Sequence, residues 1–211
     1  MNEELSIELC HLTVGYSKKG VQLSQLHPLG ACCVASDLNA TALPGTLTCL
    51  IGHNGTGKST LLRTITRLQP SIDGSVLIGD NDISTLKPIH LSRMLSIVLT
   101  SRPDVRNMTV EELVALGRAP YTGFWGRLST DDRRIVRHSI ESVGITAMAE
   151  RRVCTLSDGE MQKVMIAKSL AQQTPVILLD EPTAFLDFPG KIDLMLLLQR
   201  LAHEERITIL L

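Results

Sequence analysis

Alternating and continuous apolar runs in the first hundred residues predict a series of β-strands. Apolar and polar positions alternate over residues 7–12, and Pro44-Gly45 marks a turn between later runs. The further strand-like runs cover residues 21–26, 31–35, 47–51, 75–78 and 95–99. This half of the chain is therefore expected to be rich in β-sheet.

Helical spacing dominates from about residue 110 to residue 170. Thr109 is placed to cap the first of these helices, and residues 131–143 repeat the amphipathic pattern. The pattern then returns to strands, because residues 176–179 and 207–211 are apolar throughout, with a helix expected over residues 191–203. Continuous apolar strands are typical of a central parallel sheet. The chain is therefore predicted to be an α/β protein.

Composition is that of an ordinary globular protein. The 211 residues are 44% hydrophobic and 20% charged, which suits one domain with a large core. The net charge of −1 and the aromatic content of 3% give no footprint of nucleic-acid binding, so no nucleic-acid partner is expected. The acidic N-terminus does not resemble a signal peptide, and no apolar run reaches the ~20 residues that span a bilayer. We expect a cytosolic protein that would work at a membrane only through a partner.

The five cysteines show no metal-ligand spacing. Cys32 and Cys33 are adjacent, and Cys10, Cys49 and Cys154 have apolar neighbours. This pattern predicts buried free thiols in a reducing compartment rather than a disulfide framework.

Residues 52–59 carry the strongest chemical signal. They read Gly-His-Asn-Gly-Thr-Gly-Lys-Ser, which matches the phosphate-binding loop G-x-x-x-x-G-K-[ST] between a predicted strand and a predicted helix. Glycines let backbone N–H groups approach a phosphate at the positive end of a helix. Lys58 would reach the β- and γ-phosphates, and Ser59 would give an oxygen to Mg²⁺. The nucleotide-binding candidates here are Gly52, Asn54, Gly55, Thr56, Gly57, Lys58, Ser59 and Thr60.

Asp180 and Glu181 follow the apolar strand at 176–179. A carboxylate at the end of a buried strand beside a phosphate loop is placed to hold Mg²⁺, which we assign to Asp180. Glu181 can polarise the attacking water as a general base, so Glu181 and Lys58 are the catalytic candidates. An ordinary solvated strand end is the alternative interpretation of this pair.

Residues 156–160 read Leu-Ser-Asp-Gly-Glu before a helical pattern. Here the chain resembles the ATP-binding-cassette (ABC) family, whose signature is Leu-Ser-Gly-Gly-Gln at a helix N-terminus. The resemblance implies a P-loop ATPase core with a mainly parallel sheet, an N-terminal antiparallel β-subdomain and an inserted helical subdomain at about 105–170, all within one domain over residues 1–211. It also implies that Tyr16 stacks on adenine and that Asp187 belongs to the D-loop.

The same resemblance implies a dimer that closes on two ATP molecules. The signature candidates Ser157, Asp158, Gly159 and Glu160 would complete the site of a second nucleotide-binding subunit, with ATP and Mg²⁺ as cofactors. ATP would close the dimer and hydrolysis would reopen it, which is a two-state switch.

Segments near the predicted helices suggest a narrower group. Residues 102–105, 116–121 and 125–129 resemble ATPase subunits of bacterial iron-siderophore, haemin and cobalamin importers. This implies integral membrane permease partners, an indirect link to an extracytoplasmic binding protein, and a location at the cytoplasmic face of the membrane. Phe124 and Trp125 could equally form a subdomain core cluster or contact a partner.

Three positions depart from the family pattern. Thr100 stands where the Q-loop glutamine is expected, and Asp158 and Glu160 place carboxylates where the signature has glycine and glutamine. Carboxylates near a triphosphate would repel it, unless they point away or pair with a cation. No switch histidine follows the strand that ends at Leu211, so the sequence is expected to be truncated and impaired in hydrolysis.

Other functions remain open at this point. A soluble cassette ATPase without a permease is one alternative, and a regulatory nucleotide-binding cassette is another. A small-molecule kinase is disfavoured by residues 156–160. The transported substrate leaves no trace in this sequence, because such a subunit would not touch it.

Overall fold

A computed structural model describes residues 5–17, 31–100, 105, 107–123 and 125–211 of the chain. Within these residues the strands are β1 (Ile7–Ser17), β2 (Ala31–Ala42), β3 (Leu47–Thr48), β4 (Asp73–Ile78), β5 (Asn81–Asp82), β6 (Leu95–Val98), β7 (Val176–Leu179) and β8 (Thr208–Leu210). The helices are α1 (Lys58–Ile65), α2 (Pro88–Met94), α3 (Val110–Ala115), α4 (Thr130–Ser142), α5 (Asp158–Ala171) and α6 (Phe188–Glu204).

The N-terminal strands form an antiparallel sheet in the order β2-β1-β4-β5. β1 pairs with both β2 and β4, so that Ile7 lies opposite Ala42 on one side and Ile78 on the other. These three side chains are buried, because alternate residues of the strands face helix α1 and the second sheet.

The second sheet is parallel, in the order β3-β8-β7-β6. Every residue of β7 is buried, and its side chains alternate between two hydrophobic clusters. Val176 and Leu178 pack with α1 and the antiparallel sheet, whereas Ile177 and Leu179 pack with helices α3 to α6. Burial on both faces explains the continuous apolar run in the sequence. Asp180 follows directly after the last residue of β7.

Helices α3, α4 and α5 pack against one another beside the parallel sheet. Each begins with a capping box, in which Thr109, Ser129 or Ser157 accepts a hydrogen bond from the backbone three residues on. The cap predicted at Thr109 is therefore confirmed. The α/β content, the antiparallel sheet and the parallel sheet confirm the predicted architecture, and the bounds of a helical subdomain at 105–170 stay a prediction.

Several predicted elements differ in extent from those observed. The strand predicted over 7–12 continues to Ser17, and the strand predicted over 47–51 ends at Thr48. The strand predicted over 31–35 continues to Ala42, since β2 stays paired with β1 along its length. Helix α6 begins at Phe188 rather than 191, because Asp187 caps it and Pro189 suits its first turn. The strand predicted over 21–26 lies outside the described residues.

The prediction that the cysteines are buried is wrong. All five are free thiols, but Cys10 is half-buried and Cys32, Cys33, Cys49 and Cys154 are exposed. Apolar neighbours did not indicate burial here, because successive side chains in a strand face opposite ways and turns present side chains to solvent. Among the described helices, none combines the length and the apolar character needed to cross a bilayer.

Candidate functional site

The phosphate loop connects β3 to α1 and is shaped by glycine. Gly55 and Gly57 adopt φ angles of 85° and 96°, in the left-handed region that favours glycine. A side chain at position 57 would also collide with β2, because its Cβ would lie 2.2 Å from Val34 Cγ1. Gly57 therefore lets the loop lie against β2 while opening α1, where backbone N–H groups are available to an anion.

Lys58 turns its side chain back over this loop. Its Nζ donates to the carbonyl oxygens of Gly52, at 2.7 Å, and of His53, at 2.9 Å. Thr56 Oγ1 also donates to the His53 carbonyl, at 2.9 Å. The ammonium group is thus held at the loop, as its predicted role requires.

Ser59 and Asp180 are brought together across the fold. Ser59 Oγ donates to Asp180 Oδ1 at 2.7 Å, which joins the first turn of α1 to the end of β7. Asp180 is only 5% exposed, and its N–H still donates to the Val98 carbonyl at 2.9 Å, so its position is fixed by the sheet. Neighbouring oxygen ligands in a magnesium octahedron lie about 3 Å apart. The spacing and the hard oxygen donors of Ser59 and Asp180 therefore fit one Mg²⁺.

Glu181 follows Asp180 but faces solvent. Its φ of 50° is unusual for a residue other than glycine, and its carbonyl accepts from Ala184 N–H at 3.1 Å as the chain turns. This conformation exposes Glu181 while Asp180 stays buried. The two adjacent carboxylates therefore occupy different environments, which is consistent with the separate roles predicted for them.

A cavity of about 480 Å³ lies between the phosphate loop and the segment after β7. Asn54, Lys58, Asp180 and Glu181 all line it, so the structure places these predicted residues around one space. Lys191, on the first turns of α6, lines the same cavity and was not singled out in the sequence. No local signal in the sequence pointed to Lys191, because it reaches the cavity only through the packing of α6.

Tyr16 and Thr100 contact this region from its edges. The Tyr16 hydroxyl hydrogen-bonds with Thr60 Oγ1 at 2.9 Å, which places the half-exposed ring beside the start of α1. Thr100 Oγ1 donates to the backbone carbonyl of Asp180 at 2.7 Å. Thr100 therefore stabilises the end of β7 through its hydrogen bond to the backbone of Asp180.

The signature segment is organised as a helix cap. Ser157 Oγ accepts from Glu160 N–H at 3.3 Å, while the Glu160 carboxylate accepts from Ser157 N–H at 2.7 Å and from Arg151 Nη1 at 3.0 Å. The hydrogen bonds from Ser157, backbone first, and then Arg151 hold the pKa of Glu160 below its usual range. The charge of Glu160 is thus paired with a cation within the chain.

The other signature and D-loop candidates lie apart from the cavity. Its lining, as far as the described residues show, includes none of residues 157–160. Gly159 approaches Leu186, and Asp158 lines a separate narrow cleft with Thr100 and Glu181. Asp187 Oδ1 accepts from Gly190 N–H at 3.0 Å and caps α6.

Known proteins are similar to this chain in both sequence and fold. An uncharacterised ABC transporter ATP-binding protein of Methanocaldococcus jannaschii is 45% identical over 177 residues, which cover 83% of this chain and 61% of that protein. The iron(3+)-hydroxamate import ATP-binding protein FhuC of Bacillus subtilis is 39% identical over 178 residues, which cover 84% of this chain and 66% of that protein. The chain thus spans slightly less than two thirds of these relatives.

A solved structure of a dimeric bacterial ABC transporter cassette superposes with a TM-score of 0.77 at 25% identity, covering 97% of this chain and 86% of that one. The ABC transporter family itself matches residues 35–184, a stretch that runs from β2 through the phosphate loop and the signature segment to the turn after Glu181. On this match, and on the relatives that share it, the chain belongs to the ABC transporter family.

Proposed function

We propose that the chain binds and hydrolyses ATP as a subunit of an importer for an iron chelate, haem or cobalamin. The observation that carries the ATPase assignment is the 2.7 Å contact between Ser59 and Asp180, beside a cavity lined by Lys58 and Glu181. An iron chelate is the favoured cargo, because the related FhuC is named for iron-hydroxamate import.

The chain's residues divide the work of hydrolysis. The loop backbone and Lys58 bind the phosphates, and Tyr16 offers its exposed ring to the adenine. Glu181 accepts a proton from the attacking water. The water oxygen bonds to the γ-phosphorus while the bond between that phosphorus and the β-phosphate oxygen breaks, so that ADP leaves. When bound at Ser59 and Asp180, Mg²⁺ would neutralise charge on the phosphate oxygens. Thr100 holds the Asp180 backbone in place.

A second copy of a nucleotide-binding subunit would complete the site. Ser157 is exposed at the start of α5, where the helix dipole favours an anion, and none of the signature residues lines the chain's own cavity. A head-to-tail dimer would bring this segment to the γ-phosphate held by the partner's phosphate loop. The similarity to a dimeric cassette supports this arrangement.

We further propose that this dimer acts on integral membrane permease subunits at the cytoplasmic face of a bacterial membrane. The extracytoplasmic binding protein would then contact the permease and not this chain. Trp125 is 82% exposed, which favours a surface contact over the alternative of a subdomain core; Phe124 lies outside the described residues.

Replacing the phosphate-loop lysine tests the assignment. Lys58→Ala is expected to weaken ATP binding by at least ~100-fold, because it removes the positive charge nearest the β- and γ-phosphates. Titration with a fluorescent ATP analogue measures this, and Lys87→Ala, an exposed lysine at the start of α2, serves as the matched control. Equal affinity in Lys58→Ala and the unmodified chain would sink the assignment.

A further inference from the structure

The amide nitrogen of Gln162 is buried without a hydrogen-bond partner in the described part of the chain, although the residue as a whole is half-buried. Among the described residues, no hydrogen-bond acceptor meets Gln162 Nε2, although the atom is shielded from solvent. Gln162 lies on α5 beside Met161, which is part of the hydrophobic core. Leaving a buried amide donor unpaired is costly, and native proteins satisfy nearly all such groups with protein atoms or ordered water. The site around Gln162 therefore calls for a ligand that can accept a hydrogen bond.

Gln162 lines a narrow cleft between three elements of the candidate ATPase site. It is also lined by Thr100, which follows β6, by Glu181, which follows β7, and by Asp158 at the start of α5. The space is about 20 Å³, and one water molecule needs ~10–15 Å³, so the cleft has room for one water.

The cleft also supplies the polar partners that a buried water requires. Thr100 Oγ1 uses its proton on the Asp180 carbonyl, so its lone pairs remain available to accept. The Glu181 carboxylate is an acceptor as well, and Gln162 Nε2 is a donor. A water at this place would make about three hydrogen bonds, which is the usual number for a buried water.

We propose that Gln162 is a positioning residue for Glu181, acting through one water held in this cleft. The amide donates to the water, and the water donates to the Glu181 carboxylate and the Thr100 hydroxyl. This inference rests on the proposed ATPase function. Gln162 on α5 would then supply an amide to the site. Thr100, at the position where the family pattern has a glutamine, lines the same cleft.

The arrangement also ties Glu181 to the signature segment within one chain. Gln162 lies five residues after Ser157 on the same helix, so a displacement of the start of α5 would move the amide relative to Glu181. Glu181 would then be oriented for proton transfer only when the start of α5 keeps its position relative to the end of β7.

Gln162→Met tests this role, since methionine keeps the length of the side chain and removes its donor. We expect kcat for ATP hydrolysis to fall about 10-fold, as for other outer-shell partners, while the Kd for ATP stays unchanged. Gln199→Met, an exposed glutamine on α6, is the matched control and should leave both values as they are. Unchanged kcat in Gln162→Met overturns the proposal.

A shorter amide separates positioning from packing. Gln162→Asn keeps an amide donor, so it should retain more of kcat than Gln162→Met, whereas a packing defect would be larger for the smaller side chain. If Gln162→Asn hydrolyses ATP more slowly than Gln162→Met, Gln162 acts only structurally.

A second measurement does not depend on turnover. In the unmodified chain, magnetisation transfer between water and the Gln162 side-chain amide should show a bound water, and its absence overturns the proposal. If that water is found but the assembled wild-type protein hydrolyses no ATP, the proposed ATPase function fails and the water site stands.

Discussion

At the scale of single residues, the hydrogen bond between Ser59 and Asp180 brings two possible magnesium ligands together. These residues are 121 positions apart, and their oxygens lie 2.7 Å from each other because α1 and β7 meet in one core. The sequence suggested a magnesium ligand at each position separately. Their contact supports the proposal of one shared site, since it offers two hard oxygen ligands at the spacing of one octahedron edge.

Ser59→Ala should separate metal-dependent from metal-independent nucleotide binding. We expect affinity for ATP with Mg²⁺ to fall about 10-fold or more, because one metal ligand is lost. Affinity for ATP without Mg²⁺ should change little, because Lys58 and the loop backbone remain. Calorimetric titration with Mg²⁺ and with a chelator measures both.

Ser59→Thr is the matched control for that experiment. Threonine keeps the hydroxyl and is the other residue that the loop motif accepts at this position. If Ser59→Thr and Ser59→Ala lose the same affinity, the hydroxyl is not a metal ligand.

Local sequence predicts some of these residues and misses others for a physical reason. The phosphate loop is contiguous, so its eight residues could be recognised directly. Gln162 and Lys191 reach the site only through the packing of α5 and α6, and no local pattern reports that. The exposed cysteines show the same limit, because neighbouring residues do not fix which way a side chain faces.

At the scale of elements, a buried ion pair joins the start of α4 to the short 3₁₀ helix, Leu116–Arg118, that follows α3. Arg118 Nε donates to Asp132 Oδ1 at 2.8 Å, and both side chains are almost fully shielded from solvent. Asp132 also accepts from Ser129 Oγ at 2.7 Å as part of the α4 cap, and Arg118 stacks on the Tyr121 ring at 4.1 Å. One carboxylate thus caps a helix and neutralises a buried guanidinium.

Asp132→Asn should destabilise the fold by about 3 kcal/mol at neutral pH, because it leaves Arg118 buried without its counter-charge. Chemical denaturation of each variant measures the free energy of unfolding. Asp131→Asn is the matched control, since Asp131 is 82% exposed and its contact with Arg134 is long, at 3.4 Å. The control should change stability by no more than about 0.5 kcal/mol.

The same substitution predicts a pH dependence. Hydrogen bonds from Ser129, followed by the pairing with Arg118, hold the pKa of Asp132 below its usual range. The stabilisation is therefore fully present above the ordinary aspartate pKa of about 3.9 and is lost as the pH falls through the lower folded value. The difference between the wild type and Asp132→Asn should shrink on acidification below about pH 4. A difference that stays constant down to pH 2 would contradict this account.

At the scale of the whole molecule, the pattern of apolar positions predicted the layers of the fold well. Two-sided burial of β7 gave a continuous apolar run, and one-sided burial of β1 gave an alternating one. Extents were less accurate: β2 continues seven residues beyond the predicted end at 35, because pairing with β1 sustains a strand whose own side chains are largely exposed. Where a strand ends therefore depends on the strand it pairs with, which can be distant in the sequence.

Signature residues 157–160 do not line the cavity of their own chain, so the proposed dimer is what has to be tested at the scale of the whole molecule. Glu181→Gln tests it, since the amide is a poor base but keeps the size of the side chain. Hydrolysis should fall by about 100-fold or more while ATP binding is spared. The ATP-bound dimer should then persist, because the step that reopens it is slowed.

Sedimentation velocity with and without ATP and Mg²⁺ measures this, with Glu150→Gln, an exposed glutamate that does not line the cavity, as the matched control. The control should dissociate as the wild type does. Glu181→Gln should sediment as a dimer only with ATP, and adding Ser157→Arg should return it to the monomer, because a bulky side chain would fill the place where the partner's γ-phosphate meets the start of α5. Should Glu181→Gln bind ATP and remain monomeric, the signature segment would not complete a partner's site.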